Sequence, residues 1–343
     1  MSAAGRLIPA TILTGFLGAG KSTLLRRVLT EPHGRRIAVI ENEFAEENID
    51  SEIIVSGGDE QIIQLSNGCL CCGIRDDLRA TLADLAERRA RGEIAFDQVM
   101  IETTGLADPG PIAQTFFLDP AIAGAYRPDA ILTLVDARHA MGQLDARAEA
   151  RRQVGFADRL FISKTDLADD SDLAALRERL RRMNPRAPQS VAAFGEVPLE
   201  QVFDIGGFNL NAELDFLPPP ANEACDGRDH AHGEACGHAH HHHHDDDVKS
   251  FVFRSRRPFH GARFGQFMNA IVRSHGAALL RYKGVLHMAG LDRKVILQGV
   301  HQLMSHDAGA PWDPGDPRES RLVFIGLDLP QALMTRSLEQ CLA

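Results

Sequence analysis

The run Gly15-Phe-Leu-Gly-Ala-Gly20-Lys21-Ser22 constrains this chain more than any other stretch. It fits G-x-x-x-x-G-K-[ST] in full, directly after an apolar, β-branched segment and before a helical pattern. In that context the glycines let backbone N–H groups turn inward around phosphate oxygens, and the start of the helix adds its positive dipole end. The cradle is assigned to Gly15, Gly18, Ala19, Gly20 and Thr23, with Lys21 set to reach the β- and γ-phosphates and the Ser22 hydroxyl set to hold Mg²⁺. The bland alternative is a chance Gly-rich turn, which needs eight positions to agree by accident.

A strand feeding a phosphate loop calls for further strands beside it. Short apolar runs at Ala10–Thr14, Ile37–Ile40, Gln98–Ile101, Ala130–Val135 and Arg159–Ile162 supply them. Leu78, Leu82 and Leu85 recur at helical spacing between them, as do Leu173, Leu176 and Leu180. The alternation predicts an α/β fold, a P-loop NTPase domain with a mostly parallel sheet over residues 1–215. Ligands in such sheets bind at the carboxyl ends of the strands.

Two strand ends carry the chemistry that a nucleotide needs. Glu102 closes Val99-Met100-Ile101 and is the expected second Mg²⁺ ligand, while Gly105 would bring a backbone N–H to the γ-phosphate. Ser163-Lys164-Thr165-Asp166 follows the last of the five runs. A carboxylate at Asp166 can accept two hydrogen bonds from a guanine edge, which adenine does not offer, and the Lys164 stem can lie along the base. The usual guanine-reading motif opens with Asn, and Ser163 departs from it. A simpler role for this segment is to cap the next helix through Asp166 or Ser171.

Cys69-Leu70-Cys71-Cys72 lies between a strand-like run, Gln61–Leu65, and a helix beginning near Asp76. Three thiolates in four residues form a chelate, and soft sulfur favours Zn²⁺ or Cu⁺ over Mg²⁺. Buried structural cysteines and a redox pair are the alternatives. Asn67-Gly68 and Gly73 on either side favour a turn. A fourth ligand could come from Glu41, Glu43, Glu46 or Glu47.

After Phe216 the composition changes. Pro218–Pro220 stiffens the chain, and Cys225 to Asp247 holds eight of the 15 histidines. Such a stretch packs no core, so residues 216–247 are expected to form a flexible, metal-collecting linker for Zn²⁺, Ni²⁺ or Co²⁺. It reads as neither a purification tag nor a passive spacer, because it lies inside the chain and is rich in His and Cys. From residue 248 to 343 a smaller α+β unit is expected. It has alternation at Phe251 and Phe253, helices at Phe259–Ser274 and Pro330–Cys341, and strands at Leu279–Met288, Lys294–Leu303 and Leu322–Gly326.

Charge and apolar content narrow the partners. The net charge is −10, and no basic patch interleaved with aromatics appears, which argues against nucleic acid. No 18-residue apolar run and no export signal are apparent, so a membrane role is not expected and the predicted location is cytoplasmic. The six cysteines then read as thiols or ligands in a reducing compartment.

With these motifs in place, the sequence resembles the CobW/YjiA family of metal-associated GTPases, along nearly its whole length. Thr14–Leu25, Ile40-Glu41-Asn42-Glu43-Phe44, Asn67–Cys72 and Glu102–Gln114 carry the resemblance. So do Leu280-Arg281-Tyr282-Lys283-Gly284, Gln298-Gly299-Val300 and Val323-Phe324-Ile325-Gly326. The resemblance implies a GTPase (G) domain followed by a CobW-type C-terminal domain, with slow hydrolysis of GTP. It implies Zn²⁺, or Co²⁺, held by Cys69, Cys71 and Cys72 with Glu43 as a further ligand. It also implies coupling of metal and nucleotide states, as in a zinc metallochaperone serving a client metalloprotein, and a nucleotide-dependent homo-oligomer is a further expected partner. Lys164 and Asp166 become the guanine readers. Ala45 departs from the Gly usual after Asn-Glu-Phe. Competing readings are a Co²⁺ insertion factor for cobalamin or nitrile hydratase, a His-rich metal store with a regulatory GTPase, and a P-loop small-molecule kinase. The kinase is disfavoured by the guanine-reading segment and the lack of an Arg-rich lid.

Overall fold

Thr11 to Leu13 are buried to within 1% of full enclosure, so the strand that feeds the phosphate loop needs sheet on both sides. The computed structural model describes residues 7–41, 63–66, 74–208, 246–315 and 317–343. Among them β1 (Ile8–Gly15), β2 (Ile37–Glu41), β3 (Ile63–Ser66), β4 (Gln98–Glu102), β5 (Tyr126–Asp136), β6 (Arg159–Ser163) and β7 (Gln189–Ala192) form one parallel sheet. Its order is β3-β2-β4-β1-β5-β6-β7, with β1 central. The connections carry α1 (Lys21–Thr30), α2 (Ile74–Ala90), α3 (Pro109–Leu118), α4 (Pro120–Ala125), α5 (Ala140–Ala146), α6 (Ala148–Phe156) and α7 (Asp170–Met183). Buried apolar runs such as Ile37–Ile40 and Ala130–Leu134 suit a sheet covered on both faces.

Each of the five sequence-expected strands is present and one or more residues longer. The second sheet holds β8 (Val248–Ser255), β9 (Leu279–Leu286), β10 (Arg293–Val300), β11 (Leu303–Pro311) and β12 (Ser320–Leu327). It is antiparallel, ordered β11-β10-β9-β12-β8. Helices α8 (Gly261–His275) and α9 (Gln331–Gln340) lay Phe264, Phe267, Met268, Ile271, Met334 and Leu338 on one face of it. The expected strand Lys294–Leu303 is corrected: the chain reverses after Val300, with His301 at φ 52°, and Leu303 opens a separate strand paired to Val300. His-Gln carries none of the Gly or Asn chemistry that marks a two-residue hairpin turn in sequence.

The two sheets share one core. Val154 and Phe156 of α6 pack in the same cluster as Val248, Leu280, Val300, Val323 and Ile325. A Cβ on Gly155 would sit 2.7 Å from Leu280 Cδ1 and 3.1 Å from Val248 Cγ1, so a larger residue there would have to push these side chains of the second sheet aside. Two aspartates at the end of the expected linker are also fixed. Asp247 pairs with Arg151, and Asp246 pairs with the buried Arg179 at 2.6 Å. The flexible-linker expectation therefore fails at 246–247, because these carboxylates neutralise guanidiniums of α6 and α7. No helix among the described residues is long and apolar enough to cross a membrane.

Candidate nucleotide site

The glycine-rich turn between β1 and α1 is built as a backbone cradle. Gly15, Gly18 and Gly20 all take positive φ, at 141°, 74° and 98°. A Cβ on Gly15 would lie 2.4 Å from the Leu134 carbonyl of β5, so only glycine lets the loop leave the sheet here. Gly20 caps α1, and no side chain takes the helix's first N–H groups. Those donors are left for a ligand.

Lys21 folds back over the loop. Its ammonium donates to Gly15 O at 2.9 Å and to Phe16 O at 3.4 Å. Burial pushes its pKa below the usual lysine value, and the nearby Glu102 works the other way. A phosphate would supply the full negative charge that two neutral carbonyls do not. Ser22 Oγ donates to Glu102 Oε1 at 2.8 Å, which brings a hydroxyl and a carboxylate from α1 and β4 together. Both are hard oxygen donors, the kind of pair that fits Mg²⁺.

Three residues beyond Glu102, Gly105 crosses the cradle. A Cβ there would sit 2.6 Å from Leu17 N and 2.8 Å from Leu17 Cα, so the segment lies against the phosphate loop as only glycine can. Asp108 then caps α3, accepting from Gly110 N at 2.9 Å while Arg152 pairs with it at 3.0 Å.

Residues 9–191 match the family model of the CobW/HypB/UreG nucleotide-binding domain, and residues 248–342 match that of the cobalamin synthesis protein cobW C-terminal domain. The chain belongs to the CobW/HypB/UreG family of P-loop GTPases. It is 39% identical over 326 residues to the zinc chaperone YjiA of Escherichia coli, across 94% of this chain and 95% of that one. It is 34% identical over 367 residues to the zinc chaperone CobW of Pseudomonas aeruginosa, across 98% and 92%. The crystal structure of Zn(II)-bound YjiA GTPase from E. coli superposes with a TM-score of 0.80 at 34% identity, covering 99% of this chain and 100% of that chain.

In this CobW/HypB/UreG protein the segment after β6 meets the phosphate loop directly. Ser163 Oγ donates to Ala19 O at 2.7 Å, so the residue that departs from Asn ties the strand end to the cradle. Lys164 stands in the left-handed region at φ 54° and reaches Asp136 Oδ2 at 2.7 Å. The Asp166 carboxylate is exposed in a short 3-10 turn, Thr165–Leu167. Neither Asp166 nor Ser171 caps α7, which starts after Asp169.

Asp136 and Gln153 were not singled out in the sequence. Asp136, 2% exposed, accepts from Lys164, from His139 Nδ1 at 3.0 Å and from Arg138 N at 2.9 Å. Burial acts to raise its pKa, but the Lys164 and His139 hydrogen bonds outweigh it and hold the carboxyl below its usual range. Like Glu102, it is an acid closing a buried strand at the carboxyl edge, and that was its available signal. Gln153 had none, because a glutamine in an amphipathic helix reads as surface.

Glu43, Cys69, Cys71, Cys72, the acidic run Glu46 and Glu47, Ala45 and the His-rich tract Cys225–His244 lie outside the described residues. Among the described residues there is no group of three or more His, Cys, Asp or Glu that could hold a metal ion.

Proposed function

We propose that this chain hydrolyses GTP with Mg²⁺ and couples that cycle to the capture of Zn²⁺ and its release to a client metalloprotein. One observation carries the reading: the strand register at the carboxyl edge. Glu41, the last residue of β2, is in register with Ser66, the last residue of β3, and with Glu102 of β4. The segment bearing Glu43 starts two residues after the first, and the Cys69-Leu70-Cys71-Cys72 motif starts three residues after the second. Glu41 and Ser66 thus close their strands on the edge where the Ser22–Glu102 pair stands, and the reading assigns both motifs to that edge.

In this reading the backbone of Gly15 to Thr23 binds the phosphates. Lys21 moves from its carbonyls to the β- and γ-oxygens, and Ser22 and Glu102 hold the Mg²⁺ that neutralises developing charge. Gly105 offers its N–H to the γ-phosphate. Lys164 and Asp166 read guanine, with Asp136 fixing the lysine. Cys69, Cys71 and Cys72, with Glu43, take the zinc as cargo. Loss of the γ-phosphate releases the segments that touch it, and any metal ligand carried on them changes its affinity. The unit boundaries at 215 and 248 and a cytoplasmic location belong to the same proposal.

The relatives named zinc chaperones support Zn²⁺ over Co²⁺ or Ni²⁺. The test is Zn²⁺ affinity measured with GTP, with GDP and without nucleotide. An affinity difference of about tenfold between GTP and GDP, equivalent to about 1.4 kcal/mol of coupling, is expected. Equal affinity in all three states would leave a metal buffer and not a chaperone. The expected thiolate site disappears when Cys69, Cys71 and Cys72 are all replaced by Ser, with loss of the sulfur-to-metal charge-transfer band of the Co²⁺-substituted protein.

A further inference from the structure

The short turn after β7 combines two features that rarely meet. Ala193 and Glu196 are bridged, with Glu196 N donating to Ala193 O at 2.7 Å, so Phe194 and Gly195 are the central residues of a tight turn. Both take positive φ, at 50° and 80°. Positive φ at both central positions marks a type I′ turn, whose favoured sequence is Asn-Gly. Gly195 suits it, whereas a bulky side chain at positive φ is an outlier.

Phe194 gains no packing to offset this. It is 79% exposed, more than any other large apolar residue among those described, and it joins none of the apolar clusters. Strained backbone of this kind gathers at ligand sites.

The turn stands at the nucleotide end of the sheet. Ala192, the last residue of β7, is in register with Ser163, the last residue of β6, so Ala193 and Lys164 leave the sheet side by side. Gly195 is buried against α1: a Cβ there would sit 3.3 Å from Leu24 N and from the Thr23 carbonyl carbon. Arg27 of α1 pairs with Glu196 at 3.4 Å and ties the turn to the same helix. Lys164 leans over the phosphate loop, its ammonium 4.0 Å from the place of a Cβ on Gly18. The turn, the start of α1 and the Lys164–Asp166 segment thus border one stretch of the carboxyl edge.

We propose that Phe194 is the platform on which the nucleobase stacks. The proposal rests on the reading of Lys164 and Asp166 as the base readers. The Phe194 ring covers one face of the base, the Lys164 stem lies along the other, and Asp166 meets the edge. Every base has a π face, so a stacked ring adds affinity without choosing among bases. The choice of guanine is left to Asp166. Stacking also removes from water an apolar surface that the fold itself leaves uncovered.

The experiment separates stacking from reading. Calorimetry on the full chain compares GDP, GTP and ATP with inorganic tripolyphosphate, which carries no base. Phe194→Ala should weaken the three nucleotides by a common factor of about tenfold and leave tripolyphosphate unaffected. Phe194→Asn suits the turn, so it should weaken the nucleotides equally while raising the Tm. Phe194→Trp should keep nucleotide affinity, and its added fluorescence should be quenched by GDP and not by tripolyphosphate. The wild type, whose one tryptophan is Trp312 in the second unit, should not respond. The proposal is overturned if Phe194→Asn binds GDP as tightly as the wild type, or loses affinity only together with a lowered Tm. It is equally overturned if tripolyphosphate weakens alongside the nucleotides, or if GDP leaves the emission of the Phe194→Trp protein unchanged. Should Asp166→Asn keep the full GTP-over-ATP preference, the reading of the base edge fails instead, and the common loss in Phe194→Asn still decides the stack.

Discussion

Gln153, enclosed in α6, donates from one amide nitrogen to two carbonyls of the segment behind Glu102: Gly105 O at 3.1 Å and Ala107 O at 3.0 Å. That segment is also held on its other side by the close approach of Gly105 to Leu17. Gln153→Leu removes both donors and leaves two buried carbonyls unmet, which should cost about 2 kcal/mol of stability. It should also lower kcat for GTP more than it raises KM, because the γ-phosphate contact loosens while the cradle stays. Urea unfolding and steady-state hydrolysis together check this. An unchanged kcat would mean that the clamp serves the fold alone.

Ser22 and Glu102 should act as one unit. Ser22→Ala or Glu102→Gln should each reduce Mg²⁺-dependent hydrolysis by about 10²- to 10³-fold, the range seen when a group that stabilises transition-state charge is removed. Lys21→Ala should do at least as much. The double variant should be little worse than either single one, since the pair holds a single ion. Additive losses in a titration against Mg²⁺ would separate their roles.

Asp136 holds Lys164, so guanine selectivity should depend on a residue with no direct claim on the base. Asp136→Asn keeps the shape and removes the charge. The GTP-over-ATP preference should fall by about tenfold, as expected for the loss of one charge-assisted bond. Competition of ATP against a fluorescent GTP analogue measures it. An unaltered preference would assign selectivity to Asp166 alone.

Lys283 makes stability depend on pH. Burial lowers its pKa from 10.5 to about 7, with Arg186 adding to the effect and Asp158 opposing it. Between about 7 and 10.5 the unfolded chain holds a proton that the folded chain has released, so stability rises with pH through that window. Lys283→Met should flatten the rise between pH 7 and pH 9, and it should gain most over the wild type at the acid end. Urea midpoints across this range test it. Parallel curves for the two proteins would mean that the ammonium stays charged in the fold.

The His-rich tract can be removed only up to a definite residue. Deleting 225–245 should lower the number of metal ions bound and slow their capture from dilute solution, while leaving basal GTP hydrolysis intact. Extending the deletion through Asp246 and Asp247 should instead destabilise the protein. It strips Arg179, itself 1% exposed, of one carboxylate and Arg151 of another. Thermal unfolding of the two deletions should differ, and equal stability would make those ion pairs ornamental.

The phosphate loop was legible because its chemistry is local: glycine conformations, one lysine and one hydroxyl follow one another in eight positions. The place of Glu102 beside Ser22 was legible because strand ends in a parallel sheet point to one edge. Gln153 and Asp136 depend on partners far along the chain, and nothing beside them in sequence announces that. Strand β11 went unseen for a different reason. Its alternation is weak, as Ser305, His306 and Asp307 face outward or lie half-covered at a sheet edge, and the turn before it lacks glycine. The shared core between the units was equally hidden, since Gly155 marks close packing only once Leu280 is known to lie above it.

The central place of β1 has a consequence for synthesis. Its two neighbours are β4 and β5, so β1 has no sheet partner until the chain has been extended through Glu102, and none on its second side until Asp136. At about 5–20 residues per second, an apolar strand waits for several seconds in the ribosome's vicinity before it can be covered. The phosphate cradle cannot close during that time, because Leu134, which abuts Gly15, and Ser163, which anchors Ala19, have not yet been made or placed. Nucleotide can be recognised only by a chain whose first unit is almost entirely out of the ribosome.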